Sequence, residues 1–207
     1  MGIMIIDSCI YTGVGISEFY SGKHELRRKV MTIHPSNMSC DLFYHFSPSL
    51  VVISDDVFFN HENNCKVLSK IIQNHRAIFF VIFTTSFNVR YQELVLLDEN
   101  VLICSKEINK SILDDLLSIN FFDTKTASNL CNFILSPTER VITRLWMSGK
   151  GTLQIGSALN ICAKTVSTHK GNIKKKLKTN SMQTIFNIMR LSSILVPKIL
   201  FDIKANY

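Results

Sequence analysis

The sequence predicts an α/β domain built on a doubly wound parallel sheet, followed by an all-α domain of four helices. Three observations carry that prediction. Short continuous apolar runs recur through the first half, at Ile3-Met4-Ile5-Ile6, Leu50-Val51-Val52-Ile53, Phe79-Phe80-Val81-Ile82-Phe83 and Val101-Leu102-Ile103-Cys104, as expected of strands buried on both faces. Stretches of helical spacing separate them, as crossovers between parallel strands require. From Ser136 onward, helix caps and 3.6-residue periodicity replace the strand runs, and the charge changes sign. Residues 1–134 hold 11 Lys/Arg against 14 Asp/Glu, net −3, whereas residues 135–207 hold 12 against 2, net +10.

A chain of 207 residues accommodates two modest domains, and 46% hydrophobic with 19% charged residues excludes a disordered or collagen-like chain. The apolar run over residues 77–83 is about a third of the roughly 20 residues that a membrane helix needs. The start lacks a basic segment ahead of a long apolar one. The expectation is a cytoplasmic protein with no membrane contact. Cys9, Cys40, Cys65, Cys104, Cys131 and Cys162 form no C-x-x-C pair and have no His at metal-ligand spacing. They read as small buried hydrophobes, and neither a metal nor a cofactor is expected.

Along the first half, residues 15–21, 62–74, 88–97 and 110–117 carry the helical crossover patterning, which bounds an α/β domain at residues 1–117. Residues 118–134 mix polar and apolar types without a period and read as a linker. Ligand sites in such sheets lie at the carboxyl ends of strands. Here those ends carry Asp7 and Ser8, then Ser54-Asp55-Asp56, then Thr84-Thr85, then Ser105-Lys106. Gly13-Val14-Gly15 imitates the start of a dinucleotide fingerprint, but Glu18 takes the third glycine's place and would repel a pyrophosphate; no P-loop occurs. An enzyme is not expected.

The second domain, residues 135–200, opens at Ser136-Pro137-Thr138-Glu139, where Ser136 caps, Pro137 suits the first helical position and Glu139 completes a capping box. Ile142, Leu145, Trp146 and Gly149 share one face of that helix, and Gly149 to Gly151 ends it. Thr152 is expected to cap a second helix with Leu153, Ile155, Ala158 and Leu159 as its apolar positions, followed by an Asn160-Ile161-Cys162 turn. A third helix over 163–177 turns Val166, Ile173 and Leu177 to one side, and a fourth runs from 182 to about 195 before Pro197. Two short helices joined by a tight turn, the second rich in Lys, suit insertion into the DNA major groove. Asp and Glu are absent from residues 152–201, which solubility alone does not explain. Double-stranded DNA is therefore the expected partner, with lysines on phosphates and shorter side chains on base edges.

Leu135-Ser136-Pro137-Thr138-Glu139, Gly149, Ile155, Leu159, Ile161 and Thr165-Val166-x-x-His169-x-x-x-Ile173-x-x-Lys176-Leu177 together resemble the LuxR/FixJ/NarL-type helix-turn-helix. The resemblance implies base-facing positions at Ser167, Thr168 and Gly171. It implies phosphate-side positions at Lys164, Thr165, His169, Lys170 and Lys174, with Lys175 and Lys178 adding positive charge, and a dimerisation role for the fourth helix. Two departures stand out. Gln154 and Gly156 replace the usual Glu and Ala, and Cys162 replaces the Ser that commonly caps the recognition helix, a cap whose loss costs about 1 kcal/mol.

The strand-end residues Asp7, Ser8, Ser54, Asp55, Thr84 and Lys106 resemble a degenerate response-regulator receiver. Ser8 replaces a metal-binding carboxylate. Counting from Pro48, the phospho-acceptor position falls on Ser54, and Asp55, one residue on, is expected to face the other way. Across both domains, Ile5-Ile6-Asp7-Ser8-Cys9, Leu102-Ile103-Cys104-Ser105-Lys106 and 163–174 are similar to auxiliary activators of capsular polysaccharide genes. That similarity implies a phosphorylation-independent activator of exopolysaccharide transcription, acting as a heterodimer with an RcsB-like response regulator and degraded by Lon protease. The alternatives are a homodimeric regulator of other genes and an antagonist that acts through its receiver-like domain without DNA.

Overall fold

The computed structural model describes residues 2–21, 29–60, 62–85, 93–117 and 130–195. The sheet contains β1 (Gly2–Ile6), β2 (Lys29–Ile33), β3 (Pro48–Ser54), β4 (Phe79–Thr84), β5 (Leu94–Asp98), β6 (Val101–Ser105) and β7 (Leu130–Asn132). Their order is β2-β1-β3-β4-β6-β5-β7. The strands from β2 to β6 in this order are mutually parallel, β5 pairs antiparallel with β6, and β7 runs parallel to β5. Chain order reverses between β1 and β3, so their carboxyl ends frame the crevice where such sheets place ligands.

Alternation along the strands divides the core. Ile3, Ile5, Val52, Val81 and Leu102 face one side, under α1 (Ile10–Ser21) and α5 (Lys110–Leu117). Met4, Ile6, Ile53, Ile82 and Ile103 face the other, under α2 (Cys40–Phe46), α3 (Asp56–Asn60) and α4 (Glu62–Asn74). Three expectations need correcting. Residues 88–97 were expected to be a helical crossover, but 94–97 lie in β5, which returns to β6 through Glu99 and Asn100; Asn100 Nδ2 donates to the Ile78 carbonyl at 3.0 Å. A short run such as Leu94-Val95-Leu96-Leu97 fits a buried strand as well as a helix, and the free edge of β6 decided. The stretch 118–134, read as a linker, contributes β7 to the sheet; its residues 118–129 lie outside those described. Finally, of the cysteines read as buried, Cys9, Cys40 and Cys162 are exposed and Cys65 is half-buried.

The helical half comprises α6 (Pro137–Met147), α7 (Thr152–Leu159), α8 (Ala163–Lys176) and α9 (Met182–Leu195). Ser136 and Glu139 form the expected capping box, with Ser136 N–H donating to Glu139 Oε2 at 2.7 Å. At α7 the cap shifts by one residue. Gly151 is the N-cap, Thr152 is already helical, and Gln154 Oε1 accepts the Gly151 N–H at 2.9 Å, so a neutral amide does the work of the family's Glu. The two halves pack together: α9 lies on α4, Ser69 Oγ donates to the Ile194 carbonyl at 2.7 Å, and the Arg190 guanidinium sits 4.0 Å from the Phe59 ring centroid.

Candidate nucleic-acid interface

Helices α7 and α8 meet around Ile142, Ile155 and Val166, all fully buried. The turn between them is tight because Asn160 adopts a left-handed conformation (φ 51°) and Gly156 lacks a Cβ, which would stand 2.8 Å from the Ile161 carbonyl oxygen. Cys162 occupies the N-cap of α8 without bonding a backbone N–H through its side chain; its Sγ lies 3.0 Å from Thr165 Oγ1.

On α8, Val166, Ile173 and Leu177 turn inward, so Lys164, Ser167, Thr168, Gly171, Lys174 and Lys175 follow one another along the opposite side at helical spacing. A Cβ at Gly171 would meet open space. Among the described residues, no carboxylate lies within ion-pair distance of Lys164, Lys174 or Lys175. The surface is a row of cations flanking small polar side chains, shaped to lie along a polyanion with its centre free to approach base edges.

The other cations near α8 are engaged. Lys170 Nζ lies 4.6 Å from the Trp146 ring centroid and 3.2 Å from Thr152 Oγ1; burial, then repulsion by Lys174, holds its ammonium below the usual lysine range. Lys176 Nζ bonds Glu139 Oε2 at 2.6 Å and the Ile134 carbonyl at 2.9 Å. Burial alone would raise the Glu139 carboxyl, but Lys176 and the Ser136 N–H outweigh it and hold it below the ordinary value. Lys178 Nζ pairs with Glu93 Oε2 at 2.9 Å, across to the sheet edge. Burial near that pair pushes the Cys131 thiol up to about 11.

At the strand ends, Asp7 Oδ2 pairs with Lys106 Nζ at 2.7 Å, and its Oδ1 accepts the Cys9 N–H at 2.8 Å. Thr84 Oγ1 donates to Asp55 Oδ2, and Ser8 Oγ donates to Asp56 Oδ2. The residue beside Thr84 is therefore Asp55, not Ser54. Ile53 and Ile82 share one face of the sheet, and two residues further on Asp55 and Thr84 keep that side, while Ser54 ends the strand on the opposite parity. Asp7, Ser54, Asp55 and Thr84 are all buried.

The description "Transcriptional regulator RcsA, N-terminal dimerisation domain" matches residues 2–129, and "Bacterial regulatory proteins, luxR family" matches residues 134–189. The first alone spans more than half of the chain. This protein belongs to the RcsA family. RcsA of Escherichia coli O157:H7 is 36% identical over 198 residues, covering 93% of this chain and 94% of that one. RcsA of Erwinia amylovora is 35% identical over 200 residues with the same coverage. Among solved structures, two RcsB dimers bound to two parallel DNAs give a TM-score of 0.56 at 15% identity, covering 92% of this chain and 98% of that one. Salmonella enterica serovar Typhimurium RcsB bound to promoter P1flhDC gives 0.55 at 16%, covering 94% and 98%. These structures share the fold of a receiver followed by a LuxR-type domain.

As an RcsA-family member the chain is a LuxR-type transcriptional regulator with a DNA-binding domain. Among the described residues, no helix is long and apolar enough to cross a membrane. Six of the ten residues expected at DNA share the outward face of α8. Thr165 and His169 are half-buried on its flanks, Lys170 leans on Trp146, and Lys178 faces the sheet domain. Lys150, in the turn before α7, and Leu153, in its first turn, are both exposed beside this surface and were not among the residues expected at DNA.

Proposed function

We propose that this protein is a phosphorylation-independent auxiliary activator of capsular or exopolysaccharide genes, binding DNA as a heterodimer with an RcsB-like response regulator. The observation that carries the DNA-binding role is the unneutralised row Lys164, Lys174 and Lys175 flanking Ser167, Thr168 and Gly171. In this reading the lysines, with Lys150, Thr165 and His169 at the margin, supply a salt-dependent attraction to phosphates. The small side chains supply discrimination of about 1–3 kcal/mol per good base contact. One recognition helix reads a short site, and the partner's helix extends it. The domain division follows the same reading once β7 is counted with the sheet: a receiver-like domain that includes Leu130–Asn132, and residues 135–200 on DNA.

Phosphorylation independence rests on how the strand-end charges are used. A receiver needs a carboxylate cluster for Mg²⁺ and a lysine for the incoming phosphoryl group. Here Ser8 stands at one carboxylate position and Asp7 holds Lys106. With the phosphorylation switch lost, abundance becomes the control variable, consistent with turnover by Lon protease. The experiment is labelling with a small phosphodonor alongside promoter binding in the partner's presence. The expected result is no incorporation and identical partner-dependent binding by wild type and Asp55→Asn. Label that disappears in Asp55→Asn, together with a loss of promoter binding, would overturn the reading.

A further inference from the structure

Thr168 stands in the middle of the outward row on α8. Lys164 lies one turn before it, Gly171 and Lys175 lie one and two turns after it, and its side chain is exposed. Val166, Ile173 and Leu177 hold the opposite side of the helix in the core. Thr168 is thus a short side chain presented between two cations that have no carboxylate partner among the described residues. Gly171 adds no bulk beside it, and a Cβ there would meet open space, so a base-pair edge can approach the helix closely at this point. The hydroxyl of Thr168 is already engaged: Oγ1 donates to the Lys164 carbonyl oxygen at 3.1 Å. Threonine in a helix adopts this back-bonded rotamer readily, and it commits the side chain's single donor within the helix. The Cγ2 methyl and the remaining oxygen lone pairs are left for a ligand. Ser167 differs, because it is also exposed but among the described residues its Oγ makes no hydrogen bond.

We infer that Thr168 reads the C5-methyl group of a thymine in the major groove, through its own methyl and not through its hydroxyl. This rests on the DNA-binding reading above and names the base that one position of α8 selects. Base edges offer the major groove acceptors, amino donors and, on thymine alone among the standard bases, a methyl group. To serve an acceptor such as guanine N7 or O6, Thr168 would first have to give up its bond to the Lys164 carbonyl. Toward an amino donor on cytosine or adenine the oxygen could accept, but the methyl beside it would then lie against a polar edge without gain. Contact between two methyl groups needs no rearrangement and removes apolar surface from water on both sides. The Ser167 hydroxyl turns freely and can donate or accept, which makes it the tolerant member of the pair. The flanking lysines position the helix on phosphates whatever the sequence, so the preference for thymine falls to Thr168.

The test uses the full chain with a purified RcsB-type response regulator on a capsule-type promoter fragment, read by fluorescence anisotropy. Each thymine in turn is replaced by deoxyuridine, which removes the C5-methyl and keeps every hydrogen-bonding group. Circular dichroism and binding to scrambled DNA serve as controls for folding. Wild type is expected to lose about 4- to 10-fold in affinity at the thymine that meets α8. Thr168→Val, which keeps a methyl at the branch point and lacks the hydroxyl, should bind the unmodified fragment as tightly as wild type and keep that response. Thr168→Ser, which keeps the hydroxyl and lacks the methyl, should bind more weakly by a similar factor and lose the response at that thymine, while responses owed to the partner regulator persist. If Thr168→Val loses the promoter and Thr168→Ser retains it, the hydroxyl does the reading and the inference is overturned. A set of deoxyuridine responses identical in wild type and Thr168→Ser also overturns it, while DNA binding stands. If wild type with its partner does not distinguish the promoter from scrambled DNA, the DNA-binding reading and the inference fall together.

Discussion

Lys164, Lys174 and Lys175 stand along one side of α8 with no carboxylate within ion-pair distance among the described residues, whereas the strand-end carboxylates Asp7, Asp55 and Asp56 each hold a hydroxyl or an ammonium. Both regions are rich in functional residue types, and they differ in what is left over. Surplus positive charge on a fixed helix face is an offer to a polyanion, since no carboxylate among the described residues neutralises it. Asp7 and Asp55, engaged by Lys106 and Thr84, have less to offer a cation or phosphoryl group, although Asp56 keeps one buried oxygen, Oδ1, without a partner among the described residues. The contrast separates a face of cations without carboxylate partners from a pocket whose charges are largely paired within the fold.

The largest effect is expected where the free charge sits. Replacing Lys164, Lys174 and Lys175 together by Ala should lower affinity for all DNA by about 10- to 1000-fold and reduce the salt slope by about 3; fluorescence anisotropy across a salt series measures both. Ser167→Ala or Thr168→Ala should instead alter preference among operators by about 1–3 kcal/mol per lost base contact, with little effect on scrambled DNA. Equal effects on both DNAs would erase the division between positioning and reading.

Lys175 and Lys176 sharpen the comparison because they are neighbours on one helix with opposite fates. Lys175→Ala should lower the salt slope by about 1 and leave thermal stability unchanged. Lys176→Ala should leave the slope intact and lower the melting temperature. Its partner Glu139 is nearly buried and held below the ordinary carboxylate value, so its contribution is complete above that value and is lost as pH falls through the lower folded-state one. Glu139→Gln should therefore cost about 1 kcal/mol near neutral pH and flatten the acid limb of a stability profile. The smallest effect belongs to Lys178. Its ion pair with Glu93 is partly exposed, so Lys178→Ala should change stability by about 0–1 kcal/mol, and its effect on DNA affinity should be smaller than that of Lys175→Ala.

Much of this was legible in the residues, for reasons that differ between the halves. Helices α7 and α9 span the intervals that their periodicity marks, and the Ser136 and Glu139 box is visible as a local pattern because every contact in it lies within one turn. The strands β2, β5 and β7 escaped notice because their pairing depends on neighbours far along the chain; Val95 is a strand residue because Ile103 lies beside it. The same limit applies to the site. Trp146 and Glu93, distant in sequence, are brought against Lys170 and Lys178, contacts that helical spacing alone does not reveal. Asp55 was placed on the wrong side because counting from Pro48 fixed the acceptor at Ser54, whereas the position of Thr84 on the adjacent strand decides which residue it meets.

The most direct test of the central claim is fluorescence anisotropy at fixed physiological salt, with a capsule-type promoter fragment and a scrambled control, for this protein alone and with an RcsB-type regulator. Specific binding that appears with both proteins present, and that the triple lysine variant abolishes, is the predicted result. Specific binding by this protein alone, or binding with the partner that survives removal of Lys164, Lys174 and Lys175, would contradict it.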